Sequence, residues 1–162
     1  AILCLIEVIF NSNTDYSAIR NIFNPPMKLE HFALNVENPL AMAAWYTEHF
    51  GLQVVRQSTE APFTTFLADD SGRIMIEIYL NPADEVPPYS SMNPLLVHLA
   101  FVSANPDEDK TRLVAAGASL VSDQHLTDGS HLVMLRDPWG LAVQLCKRGK
   151  PMLAQTENDY KV

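Results

Sequence analysis

The chain carries one passage of about 25 residues twice, which makes each copy a single supersecondary unit. HFALNVENPLAMAAWYTEHFGLQVV opens at His31, and HLAFVSANPDEDKTRLVAAGASLV opens at His98, 67 positions later (98 − 31). Each copy closes on an apolar segment broken by one inward polar residue, Glu77 in IMIEIYL and Gln144 in LAVQLCK, and 144 − 77 is again 67. Copies of about 60 residues are marginal alone, so the two are expected to share one core. Four side chains of ligand type, His31, Glu77, His98 and Gln144, stand at matching places, which points to a site shared between the halves.

Alternation places these residues. In LEHFALNV, His31, Ala33 and Asn35 fall on one strand face, and Phe32, Leu34 and Val36 on the other. Asn38-Pro39 then supplies a cap and a first-turn proline, Leu40, Ala43, Ala44 and Phe50 give an apolar stripe, and Gly51 ends the helix. The second copy repeats this from Asn105-Pro106 to Gly117, with Asp107, Glu108 and Asp109 where the helix dipole favours negative charge. Strands follow over 52–58 and 63–69 in the first copy and 118–124 and 131–136 in the second. A glycine turn, Asp70-Ser71-Gly72 or Asp137-Pro138-Trp139-Gly140, leads into the last strand. Each unit therefore reads β-α-β-β-β. The predicted fold is α+β, with repeats over 27–80 and 94–148 and a proline-rich linker over 81–93.

The four polar residues oppose the faces of Phe32/Leu34, Ile76/Ile78, Leu99/Phe101 and Val143/Leu145, so helices cover the apolar sides and the polar ones line a concave face. Ala33, Ala100 and Ala142 beside them leave room for a ligand. Two imidazoles, one carboxylate and one amide oxygen suit a divalent transition metal, Zn, Ni, Co, Mn or Fe(II), and need no thiolate. Tyr79, Met75 and Asn35 share the inward parity. Thr64 and His131 are matched across the repeats near the cup mouth, although His131, following a DGS turn, is expected to be an exposed strand residue. Trp45 and Tyr46 are assigned to core or dimer contacts, Trp139 to a rim or dimer contact, Arg136 to the surface, and His125 to no role.

A formal charge of −8 without clustered Lys and Arg argues against nucleic-acid binding, and no apolar run is long enough to cross a bilayer. Cys4 and Cys146 form no motif. A small-molecule partner and a cytoplasmic location are expected. Residues 1–26 form an extension outside the repeat, read as an added strand and a short helix over 16–23, with Met27 a candidate initiator. Residues 149–162 are read as a peripheral tail.

The duplicated β-α-β-β-β unit, the WYTEHFGLQVV segment, the RDPWGLAVQL turn and the ordered ligand positions resemble the vicinal oxygen chelate superfamily, over about residues 28–148. That superfamily includes glyoxalase I, methylmalonyl-CoA epimerase, extradiol dioxygenases, and fosfomycin- and bleomycin-resistance proteins. The resemblance implies tandem modules forming a curved mixed-sheet cup, completed within one chain or between subunits of an expected homodimer, with one divalent metal held by His31, Glu77, His98 and Gln144. It implies a lyase, isomerase or epimerase working through a metal-stabilised enediolate, with Glu77 as the base. The last strand usually carries glutamate; Gln144 can ligate a metal but cannot take a proton near neutral pH. That departure keeps a non-catalytic antibiotic-binding protein of the bleomycin-resistance type as the alternative.

Overall fold

A computed structural model describes residues 27–152; the strand and helix expected before residue 27 lie outside the described residues, as does most of the tail. From His31 onward the described chain belongs to one compact unit. Among the described residues there are eight strands and two helices. The first module contains β1 (His31–Asn35), α1 (Pro39–Phe50), β2 (Gln53–Gln57), β3 (Thr65–Ala68) and β4 (Met75–Tyr79). The second contains β5 (His98–Val102), α2 (Pro106–Ala115), β6 (Ser119–His125), β7 (His131–Arg136) and β8 (Ala142–Lys147). Each module makes one four-stranded mixed sheet, ordered β1-β4-β3-β2 or β5-β8-β7-β6. In each, the first and last strands pair in parallel and the remaining pairs are antiparallel. The edge strands β2 and β6 are bulged at equivalent places, Val55 and Val121. A bulge kinks an edge and strengthens its twist, so the duplication extends to its irregularities.

The helices form where the caps predict them. Asn38 Oδ1 accepts from Ala41 N–H at 3.2 Å, Pro39 starts α1, and Gly51 closes it at φ 71°. In α2 the cap residue Asn105 makes no side-chain bond, and Asp107, Glu108 and Asp109 supply the favourable first-turn charge instead. The buried stripe of α1 differs from the expected one. Pro39, Met42, Ala43 and Tyr46 are buried, whereas Leu40 is partly exposed and Ala44 is exposed. The stripe is displaced because this helix serves both modules. It packs on β2, β3 and β4 of its own sheet, and its aromatic residues reach the other one. Trp45 Nε1–H donates to Ala116 O at 2.9 Å, the Phe50 ring lies 4.4 Å from Phe101, and Trp45 meets Trp139 edge-on. The Arg112 guanidinium donates to His49 O. Leu34, Val36, Leu67 and Ile78 of the first module and Leu113, Val133, Leu135, Val143 and Leu145 of the second belong to one buried cluster, as two marginal copies require.

The register corrects one equivalence drawn from sequence. Phe66 pairs with Glu77 and Met134 with Gln144, so the third strands are offset by 68 (134 − 66). His131 therefore corresponds to Phe63, not Thr64. It lies on the helix-facing side with Val133 and is buried, 6 % exposed, where an exposed strand residue was expected. The hairpins before these strands differ in length, and a constant 67-residue offset cannot follow them.

Candidate functional site

On the first sheet, parallel β1 and β4 set Ala33 opposite Glu77 on the face turned away from α1. His31 Nε2 stands 3.3 Å from Glu77 Oε2. The side chains are 39 % and 19 % exposed, so both are reachable from solvent. Phe66, opposite Glu77 on β3, meets the His31 ring edge-on at 5.8 Å and limits its rotation. Beside the pair is a cavity of about 410 Å³ lined by Pro62, Thr64, Glu77, Tyr79 and Asn81, among others. It is large enough for a small ligand and has a carboxylate, a phenol, a hydroxyl and an amide in its wall.

The second sheet repeats the plan with different chemistry. Ala100 stands opposite Gln144 across the parallel β5–β8 pair. His98 Nδ1 lies 3.0 Å from Pro94 O. A carbonyl only accepts, so Nδ1 is the donor, and in the neutral ring Nε2 is the nitrogen with the lone pair. Gln144 Oε1 accepts from the Cys146 thiol at 3.2 Å, and burial pushes that thiol's pKa up, keeping it a donor.

The donor set fits a divalent ion. Two ligand atoms, each about 2.1 Å from one tetrahedral ion, lie roughly 3.4 Å apart, close to the observed His31–Glu77 spacing. A ligating histidine whose other ring nitrogen donates to a backbone carbonyl is the usual supporting arrangement, and His98 has it. His31 and Glu77 nevertheless do not converge with His98 within one chain. Among the described residues, Asp123, His125 and His131 form the one group of three His, Cys, Asp or Glu side chains whose ligand atoms all lie within 4.8 Å of one another. His31, Glu77 and His98 therefore do not meet that spacing.

Other sequence candidates resolve individually. Tyr79 lines the cavity. Asn35 instead fastens the linker, donating to Asp84 O and Glu85 O while its Oδ1 accepts from Asn81 N–H at 2.8 Å. Arg136, expected at the surface, donates to the carbonyls of Tyr89, Met92 and Gly140 and pins the linker to the second sheet. Tyr46 is core, and its hydroxyl donates to Asp137 Oδ2 at 2.9 Å. The sequence alone assigns Asp137 only to a turn. Its Oδ1 accepts from Trp139 N–H and Leu141 N–H, and burial raises its pKa from 3.8 to about 6 despite those donors. No sequence signal distinguishes it from any aspartate that begins a turn.

The duplicated βαβββ fold defines the class to which the molecule belongs. The chain belongs to the family described as the Glyoxalase/Bleomycin resistance protein/Dioxygenase superfamily, which matches residues 28–145. Members of this superfamily often bind a metal. Among solved structures it is similar to a lactoylglutathione lyase from Agrobacterium tumefaciens, at 26% identity and TM-score 0.56, covering 76% of this chain and 95% of that one. It is also similar to TnmS3, an antibiotic binding protein from Streptomyces sp. CB03234, at 15% identity and TM-score 0.59, covering 76% and 97%. A third similar structure is a family enzyme from Burkholderia phytofirmans PsJN, at 21% identity and TM-score 0.59, covering 74% and 98%. No curated protein matches the chain. No helix among the described residues is long and apolar enough to cross a membrane.

Proposed function

We propose that the protein is a metal-dependent lyase, isomerase or epimerase of the glyoxalase type, acting on a small oxygenated substrate. The observation that carries this reading is the solvent-reachable His31–Glu77 pair, 3.3 Å apart, beside a cavity that Glu77 itself lines. His31, Glu77, His98 and Gln144 are the residues that would hold the ion. Because His31 and Glu77 do not converge with His98 within one chain, the site is assembled between two copies, the His31–Glu77 pair of one meeting the His98–Gln144 pair of the other. Such a homodimer has two identical sites related by its twofold axis.

A bound divalent ion supplies a Lewis acid for a substrate with neighbouring oxygens. The protein supplies the proton chemistry. Glu77 is the carboxylate in the set and takes a proton from the carbon beside the substrate carbonyl, then returns it to the same or the adjacent carbon. Thr64, Tyr79 and Asn81 in the cavity wall orient the remaining substrate oxygens. Gln144 cannot exchange a proton near neutral pH, so proton transfer proceeds from the Glu77 side alone.

The test is substrate-proton exchange in deuterated water with α-hydroxycarbonyl and acyl-thioester compounds, using metal-loaded protein. Exchange that is lost in Glu77→Gln, with ligand affinity retained, supports the enzyme. Gln144 specifically favours a second reading, a binding protein that holds an antibiotic-like molecule in the same cup without turnover. Tight ligand binding, with no proton exchange under any of the five metals, selects that reading.

A further inference from the structure

A second group of ligand-type side chains lies on the opposite face of the second sheet from His98 and Gln144. His125 and His131 are direct partners across the β6–β7 hairpin. Leu126 N–H donates to Ser130 O on the neighbouring rung, which makes His125–His131 the closely spaced, non-hydrogen-bonded rung. Their rings stack with centroids 3.8 Å apart and planes at 24°. Asp123, two residues before His125, shares its face. Asp123 Oδ1 lies 2.7 Å from His131 Nε2, and the ligand atoms of all three residues lie within 4.8 Å of one another. The other carboxylate oxygen, Oδ2, accepts from Lys110 Nζ at 2.5 Å, and Lys110 is itself held by Asp107 Oδ1 at 2.8 Å. The carboxylate is thus oriented from behind with one oxygen turned to the histidines, as outer partners orient metal ligands. His131 is buried and His125 exposed, so access is from the hairpin's solvent side.

We propose that Asp123, His125 and His131 form a second divalent-metal site, of the Zn²⁺ class, which clamps the β6–β7 hairpin. Two imidazoles and a carboxylate are a common three-ligand set for zinc, with water in the fourth position. The ion takes the place of the proton between His131 Nε2 and Asp123 Oδ1, the neutral ring then carries its single proton on Nδ1, and the His125 ring turns out of its stack to present a nitrogen to the ion. The site is not a copy of the duplicated one. Asp123, His125 and His131 correspond in the first module to Gln57, Thr59 and Phe63, which offer no such set. It therefore belongs to the second module alone and does not depend on the function proposed for the cup.

The experiment titrates full-length protein carrying both His31→Ala and His98→Ala with Zn²⁺ by calorimetry, then repeats the titration with His125→Ala added. One ion per chain is expected in the first protein. Removing the exposed His125 ligand is expected to weaken binding at least about 100-fold, beyond the 10–100-fold typical of outer-partner losses. Zn²⁺ should also raise the thermal midpoint of the first protein and not of the second, while the metal-free midpoints agree. Absence of binding in the first protein, or equal binding in both, overturns the proposal. Asp123→Asn provides the independent check: a folded variant that binds Zn²⁺ as tightly as its parent also contradicts it.

Discussion

At the scale of single residues, the burial of charge separates structural acids from those available for chemistry. Glu77 is partly exposed at a cavity wall, whereas Asp137 is buried with Tyr46 and two backbone donors as its partners. On the proposed function, replacing Glu77 by glutamine removes the proposed proton acceptor and is predicted to lower turnover at least about 100-fold, as read from initial rates on an exchanging substrate. Asp137 governs stability instead. Its folded pKa, about 6, lies above its unfolded value near 3.8, so the folded state holds the proton more tightly. Stability from this group is greatest below pH 4, declines as pH rises to about 6, and is level above that. Urea unfolding should therefore give the wild type on the order of 2 kcal/mol more stability at pH 4.5 than at pH 7 from this residue. Asp137→Asn should abolish that difference; a slope that persists in the variant would assign it elsewhere. Asp107, Asp109, Asp123 and Asp128 have lowered pKa values, and the stability they contribute is lost only below about pH 4. His31, Glu77, His98 and Gln144 stand out in the sequence because each position has a polar counterpart 67 residues away, His31 with His98 and Glu77 with Gln144. Asp137 was not, since its chemistry comes from a tyrosine 91 residues away in the chain.

At the scale of elements, similar cap sequences do unequal work. Asn38 bonds into its helix and Asn105 does not. Asn38→Ala should cost about 1 kcal/mol in urea unfolding, whereas Asn105→Ala should cost no more than a few tenths. Equal losses would mean that the two caps are energetically alike. Gly140 is the other element-level constraint: its φ is +87°, and an added Cβ would meet Ser90 backbone atoms at 2.7 Å. Gly140→Ala should destabilise by at least about 2 kcal/mol, because both the backbone conformation and the linker's close approach are lost. The order of strands and helices was readable from alternation, caps and glycines, to within one or two residues at most ends. The third-strand offset and the α1 stripe were not. The first depends on hairpin length, and the second on a helix that packs against two sheets at once.

At the scale of the whole molecule, duplication explains the shared core and the matched positions of His31, Glu77, His98 and Gln144, but not how the four would be brought together. The two modules of one chain meet through α1 and its aromatic residues, which leaves the sheet faces of Glu77 and Gln144 directed away from that core. Repeat patterns specify what each module is made of, whereas docking between modules depends on surfaces such as Trp45, Phe50 and Phe101 that look like ordinary core. The central claim is that one metal site takes His31 and Glu77 from one copy and His98 and Gln144 from another. It is tested by the metal content of His31→Ala protein, His98→Ala protein and an equal co-expressed mixture of the two, all in a His125→Ala background that removes the hairpin site. Each single variant should hold no cup metal. If the site is shared between copies, half the dimers in the mixture are mixed and each regains one intact site, so about a quarter of the parent's metal should return. A mixture that holds no more metal than the separate variants would contradict the shared site.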